Sequence, residues 1–231
     1  MVLTLGIETA TKVCSVALCE GEKTLASYEI NMGMTHSEGL LPQIDQMLQR
    51  TGTAKGAIEL IAVSRGPGSF TGLRIGLATA EALAYGLKKP MVAVSTLEAL
   101  AYNLPVPNST LACLLDAQKG NYYMALYSWQ QGQLVEEQAV SIMAEADILH
   151  LLGALNTQVL VLGECHKIKG ELPPNVLLAP LALRLPRASA VATIGSARHV
   201  AGGDENYFGT EPFYLRRSEA EELWEQRQKK Q

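Results

Sequence analysis

No stretch of this chain is both long and apolar enough to cross a bilayer, because its most apolar segment, ending near Leu87, is interrupted by Glu81. A basic lead is missing at the N-terminus, and Glu8 sits inside the first apolar stretch, which argues against a signal peptide. Charge is scarce as well: 18% of residues are charged and the net charge is −4. That balance excludes a protein that holds tRNA or DNA by a large basic surface of its own, although it leaves a local basic patch open. The four cysteines, Cys14, Cys19, Cys113 and Cys165, form no CxxC pair, so buried free thiols in a reducing cytoplasm are expected. His36 has Leu40 where a zinc helix needs its second ligand, and His150, His166 and His199 lack ligand-type neighbours at ligand spacing; no metal is expected. GxGxxG and GxSxG are absent, no Lys-Ser/Thr pair completes a Walker A loop after Gly72, and no nucleophile–base set is legible. Peptidase activity is therefore unsupported.

What is present is globular. Apolar residues make up 48% of 231, enough for one large domain or two small ones. The run LIAVSRGPGSFTGLRIGLATAEALAYGL, Leu60 to Leu87, reads as strand, glycine turn and helix. Ser69 and Thr71 are both able to cap the helix start. Gly66, Gly68, Ser69 and Thr71 could gather free N–H groups around an anion, but the stronger demand is for close backbone packing. Within the helix, Gly72, Gly76, Ala80 and Ala84 recur every fourth residue and leave one side almost without bulk. Leu73, Ile75, Leu77, Leu83 and Leu87 spread round the helix, so it asks for cover on every side. The chain's own sheet covers one side, and a partner subunit is expected to cover another.

Three strands are expected at Val2–Ile7, Val13–Cys19 and Thr24–Ile30, then a helix over about 35–50 with Thr35 and Glu38 at capping-box spacing. Leu40, Leu41, Ile44, Met47 and Leu48 form its apolar face, and Pro42 marks a kink or its true first turn. A short strand at Met91–Val94 precedes a helix opening at Ser95, again with Glu98 at capping-box spacing. After a Pro105 and Pro107 linker the plan restarts. Laid ungapped over LDAQKGNYYMAL, IETATKVCSVAL brings Glu8 onto Asp116 and Ala17-Leu18 onto Ala125-Leu126. Helix-like 141–155, strand-like 159–162 and helix-like 189–201 follow. The expected fold class is α/β, two βββαβαβα units with the second reduced, similar to the duplicated fold of actin and the sugar kinases. Domain bounds are expected at 1–103 and 104–217, with 218–231 a polar, solvated helical tail in which Glu225 and Lys229 pair.

In that fold two strand-end acids face each other across a cleft. Glu8 and Asp116, with Lys12 and Lys119, are thus candidates for a nucleotide site, although the turns after the acids carry few glycines. The expectation is that the site is vestigial.

RGPGSFTGLRIG resembles the signature of the TsaB family of bacterial tRNA threonylcarbamoyladenosine biosynthesis proteins. IETAT with CSVAL, THSEGLLP, VSTLEALA, DAQKGNYYMALY and PFYLR match in order, and the likeness thins from Ser141 to Asn206. The resemblance implies a non-catalytic subunit without cofactor. Such a subunit pairs with a catalytic paralogue, TsaD, through helices of the first domain and works with a small ATPase, TsaE. Together they support threonylcarbamoyl transfer to the adenosine beside the anticodon, with tRNA met only in the complex; the small-residue surface is also expected to self-pair into a homodimer when the partner is absent. The paralogue's HxxxH pair and Gly-Gly nucleotide motif are missing here, and Gln118 stands where the family more often has a basic residue. The expected contact surface is Gly72, Leu73, Gly76, Leu77, Ala80, Leu83 and Ala84 with Leu40, Ile44 and Met47. On that expectation, Ala80→Arg would leave the fold intact and break pairing. An ATP-dependent small-molecule kinase of the same fold is the alternative, with Glu8 and Asp116 facing magnesium.

Overall fold

A computed structural model describes residues 1–31, 36–203 and 210–215. Strands β1 (Leu3–Glu8), β2 (Cys14–Glu20) and β3 (Lys23–Ile30) are followed by α1 (His36–Thr51), β4 (Leu60–Gly66), α2 (Phe70–Leu87), β5 (Met91–Ser95) and α3 (Thr96–Tyr102). The second half runs β6 (Ser109–Asp116), β7 (Asn121–Gln130), β8 (Gln133–Ala144), α4 (Glu145–Gly153), β9 (Gln158–Gly163), β10 (Val176–Leu178) and α5 (Ala188–Val200). The sheets are ordered β3-β2-β1-β4-β5 and β10-β9-β6-β7-β8. Each later strand takes the position of its earlier counterpart, so the duplication is complete at the level of the sheets. This is the expected actin and sugar-kinase plan.

Both faces of the first sheet are covered, which is why β1 and β4 read as near-continuous apolar runs. Leu5 and Ile7 point to the α1/α2 layer with Leu40, Ile44, Met47 and Ala80. Ala17 and Cys19 meet Ala188 and Ala192 of α5 on the other face, where a β-carbon at Gly6 would strike the Ala188 carbonyl oxygen. In the second sheet Ala112, Leu114 and Met124 pack on Ile148 and Leu152 of α4, while Leu111, Cys113 and Ala125 pack on Leu97 and Leu100 of α3.

α5 of the second half therefore lies on the first sheet, while α3 sits between the halves, with Leu97 and Leu100 on the second sheet and Ala99 against β4, β5 and α5. Residues 188–200 and 212–214 are assembled on the first sheet, not on the second as the 104–217 boundary supposed. Asn103 Nδ2 adds a stitch, donating to the carbonyls of Leu183 and Leu185. This packing binds the halves through apolar cores, not through a linker.

Three local expectations change. Ser141–Ala144 ends β8, and the helix begins only at Glu145. Pro42 lies inside α1, past its first turn. Ser95 precedes α3, but its side chain makes no capping hydrogen bond, and Glu98 pairs with Arg198 of α5 instead of turning back to the helix start. Thr35, proposed as a cap, and the tail from Ser218 lie outside the described residues. All four cysteines are buried free thiols, as expected, and burial pushes the Cys113 thiol well up. No helix among the described residues is long and apolar enough to cross a membrane.

Candidate functional site

The first candidate is the pair of strand-end acids. Glu8 closes β1 on the face that carries Gly6 and looks toward α5, and it is fully buried. Its Oε1 accepts from the Ala10 backbone N–H at 2.6 Å, while Oε2 has no partner. Ser64 stands beside it on β4. Its hydroxyl pulls the carboxyl's pKa down a little, yet it falls short of hydrogen-bond geometry and is likewise unpaired. Loss of water dominates and moves the pKa from the ordinary 4.5 to about 7.

Asp116 is placed differently. It shares a strand face with Ala112 and Leu114, toward α4, and pairs across the hairpin with Tyr122, whereas Glu8 pairs with Ser15. The face equivalent to that of Glu8 belongs in the second sheet to Cys113 and Leu115. The ungapped overlay of Glu8 on Asp116 is thus one residue out of phase in β6, and a one-residue slip reverses every side chain. Asp116 instead forms an ion pair with Lys167 and accepts from the Gln118 N–H at 2.8 Å. The Lys167 ammonium and that N–H outweigh partial burial and hold its carboxyl below the usual range. The two acids therefore lie on non-equivalent faces of their sheets. Lys12 and Lys119 are exposed on the two turns.

The glycine loop is packed against the β1–β2 turn. Ser69 N donates to the Ala10 carbonyl at 2.7 Å, and Ser69 Oγ caps α2 by accepting from the Gly72 N–H at 3.3 Å. A β-carbon at Gly68 would hit Ala10, one at Gly72 the Thr9 carbonyl oxygen, and one at Gly76 the Thr9 hydroxyl. Thr9 Oγ1 donates to the Gly72 carbonyl at 2.8 Å. The bulk-free side of α2 is therefore a seat for the β1–β2 turn. His36, outside any metal pattern, clasps the same turn through Nε2 and the Thr11 carbonyl at 2.8 Å. Gly66 supports the loop at the end of β4, and Thr71 is exposed in the first turn of α2. Among the described residues no cluster of three or more metal-ligating side chains occurs.

The expected contact surface needs correction. Leu40, Ile44, Met47, Gly72, Leu73, Gly76, Leu77, Ala80 and Ala84 are all buried in the chain's own body, and Leu83 is half-buried. Those in the α1/α2 layer pack on one another and on β1 and β4, so the buried ones offer no surface to another subunit and Leu83 offers only part of its own. One step round the helix lies what the sequence reading missed. Thr71, Arg74, Ala78, Ala82 and Tyr85 form an exposed stripe, with Tyr85 62% exposed. Leu41 on α1 is also open, at 54%. The signal was legible, because Arg74, Ala78, Ala82 and Gly86 form a second every-fourth series.

Comparison with known proteins places this arrangement. The family described as TsaD, tRNA N6-adenosine threonylcarbamoyltransferase, matches residues 31–224. The chain is 32% identical over 233 residues to the tRNA threonylcarbamoyladenosine biosynthesis protein TsaB of Bacillus subtilis (strain 168), covering 97% of this chain and 99% of that protein. This chain belongs to the TsaB family. TsaB of Escherichia coli (strain K12) is 30% identical, over 94% of this chain and 95% of its own. The solved structure of YeaZ from Pseudomonas aeruginosa, 26% identical, superposes with a TM-score of 0.78 over 93% of this chain and all of that one. In this TsaB-family chain Glu8 is thus buried with one carboxylate oxygen unpartnered, beside a first turn that is packed on α2.

Glu8 gives a prediction with a definite sign. Its raised pKa means that the folded chain keeps a proton the unfolded chain has released between pH 4.5 and about 7. Stability is therefore highest below that window, falls across it by about 3 kcal/mol, and is level above. Glu8→Gln keeps the acceptor for Ala10 and removes the charge. Urea unfolding at a series of pH values should show the variant more stable than the parent above about pH 7 and equal to it near pH 4.5. A parent whose stability rises with pH through this window would refute the buried-acid assignment.

Proposed function

We propose that this chain is a non-catalytic subunit of the tRNA threonylcarbamoyladenosine-forming system, one that docks to a TsaD-like transferase and holds it in its active arrangement. The observation that carries this is the β1–β2 turn seated on Gly68, Gly72 and Gly76, where a nucleotide-using member of the fold would need open phosphate turns. With Glu8 sealed under α5 and Asp116 paired to Lys167, neither acid is disposed to carry magnesium across a cleft. The family relationship supplies the pathway, and its TsaB relatives are named for biosynthesis of the modified base.

Docking takes place on the outer face of α2, through Ala78, Ala82 and Tyr85, beside Leu41 of α1. Small residues let a second helix come close, and Tyr85 and Leu41 are large apolar groups that gain by being covered. A TsaE-like ATPase acts on the assembled pair, and the same face pairs two copies when the transferase is absent. Contact with the favoured state of the transferase shifts its population, which is all that an activating subunit needs to do.

The alternative, an ATP-dependent small-molecule kinase, predicts micromolar Mg-ATP binding by the isolated chain that Asp116→Ala abolishes. Calorimetry separates the two. On the docking proposal no such heat is released, and size-exclusion chromatography of the chain mixed with its cognate transferase shows co-elution. Independent elution of the two proteins would end the proposal.

A further inference from the structure

One cluster remains unused by docking. At the carboxyl end of β4 the segment Pro212–Tyr214 returns to the first sheet, where Phe213 N donates to the Arg65 carbonyl at 2.7 Å. Tyr214 stacks on Phe70 with ring centroids 4.7 Å apart, and Arg74 lies over Phe70 at 3.9 Å while its Nε donates to the Tyr214 hydroxyl at 2.9 Å. Arg65 sits over the Phe213 ring at 6.0 Å. Both guanidinium groups are exposed, and neither has a carboxylate partner among the described residues, whereas Arg187 and Arg198 are matched to Glu29 and Glu98. Phe213 and Tyr214 keep about two-fifths of their surface open, at 40% and 39%.

Two arginines set beside aromatic rings, with no carboxylate partner among the described residues, are more than is needed to fasten a strap, since apolar packing alone would do so. They are well suited to a polyanion that carries flat groups. The Phe70 ring and the Tyr214 hydroxyl hold the Arg74 side chain in place in advance, so little of its freedom is lost when a phosphate is bound. Exposed aromatic edges between the two charges offer a surface on which a base can stack. The cluster also sits at the carboxyl ends of the parallel strands, where open α/β sheets receive ligands. An acidic peptide would use the charges and leave the rings idle.

We propose that Arg65, Phe70, Arg74, Phe213 and Tyr214 form an RNA-contacting surface, with the two arginines on phosphates and the rings beside an unpaired base. The proposal rests on the tRNA-modifying role argued above for the identity of the RNA. A net charge of −4 is compatible with it, because the contact is auxiliary: two phosphates held by this chain supplement those held by the transferase.

The test measures fluorescence anisotropy of a labelled anticodon stem–loop RNA with the assembled complex of chain and transferase, as a function of salt. Arg65→Gln with Arg74→Gln is expected to weaken RNA binding about tenfold near physiological salt, and to lower the slope of log K against log salt by about 1.5 to 2. Replacing both by lysine restores the slope, because it restores the charge, which a merely structural role of the arginines would not do. Complex formation is measured first without RNA, which separates failure of the docking proposal from failure of this one. Unchanged RNA affinity in the glutamine pair overturns the proposal. Loss of transferase binding in RNA-free samples overturns it too, since the cluster would then be a protein contact.

Discussion

Ala82→Arg is expected to leave this chain folded and monodisperse while abolishing co-elution with its transferase, and Ala80→Arg to prevent folding. The two positions differ by two residues on one helix. Ala80 is fully buried among Leu40, Ile44 and Met47, so an arginine there meets occupied space and has no counter-charge. Overpacking costs about 1–3 kcal/mol and an unpaired buried charge about 3–5, against a total stability of about 5–15. Position 82 faces outward, where a substitution changes stability by about 0.5 kcal/mol or less. In an interface of small residues, however, the long charged side chain holds the partner helix away and leaves its own charge without water. Circular dichroism reports the fold, and chromatography of the mixture reports docking. Co-elution of Ala82→Arg at parental strength would move the contact off this face, and a well-folded Ala80→Arg would restore the inner ridge as the interface.

Much of the architecture was legible because sheets and amphipathic helices print their period on the sequence. The limits of α2 and the repetition of the strand plan could be read from apolar runs, Gly66 to Gly72 and the spacing of small residues. Other features could not. That the series Gly72, Gly76, Ala80 and Ala84 faces inward depends on where the β1–β2 turn lies, and a small-residue stripe is equally consistent with a foreign helix or with the chain's own backbone. α2 bears two such series, and only tertiary packing tells them apart. The phase of Asp116 was hidden for a related reason: the hairpin after β6 is longer by one residue when aligned by face, and an ungapped overlay is blind to that. Where α3 and α5 pack is likewise invisible locally, since their apolar residues suit either sheet.

The packing of α3 and α5 across the two halves bears on how far those halves are able to move. In a cleft enzyme the two halves must move relative to each other around a ligand. Here the first turn is closed on α2, Glu8 is sealed beneath the α5 face, and Asn103 is tied to Leu183 and Leu185. Each of these contacts holds one part of the first half against its neighbours. Such a body is suited to presenting a fixed surface to another protein.

That stiffness can be tested at the seat of the turn. Gly76→Val, and less severely Gly72→Ala, is expected to lower stability by about 3 kcal/mol or more, which for a chain of this length corresponds to a melting temperature about 6–12 °C lower. The cause is local, because a β-carbon at either position collides with Thr9, and Thr9 cannot retreat without breaking its bond to the Gly72 carbonyl and the Ser69–Ala10 contact. Gly86, in the same helix, has nothing within 4 Å of an added β-carbon. Gly86→Ala should therefore raise stability by about 0.5–1 kcal/mol, the ordinary gain of alanine over glycine in a helix. Opposite signs at glycines ten residues apart separate a packing demand from a general intolerance of substitution in α2. If Gly76→Val melted with the parent, the turn would not be seated on the helix, and the nucleotide-binding alternative would regain its open phosphate loop.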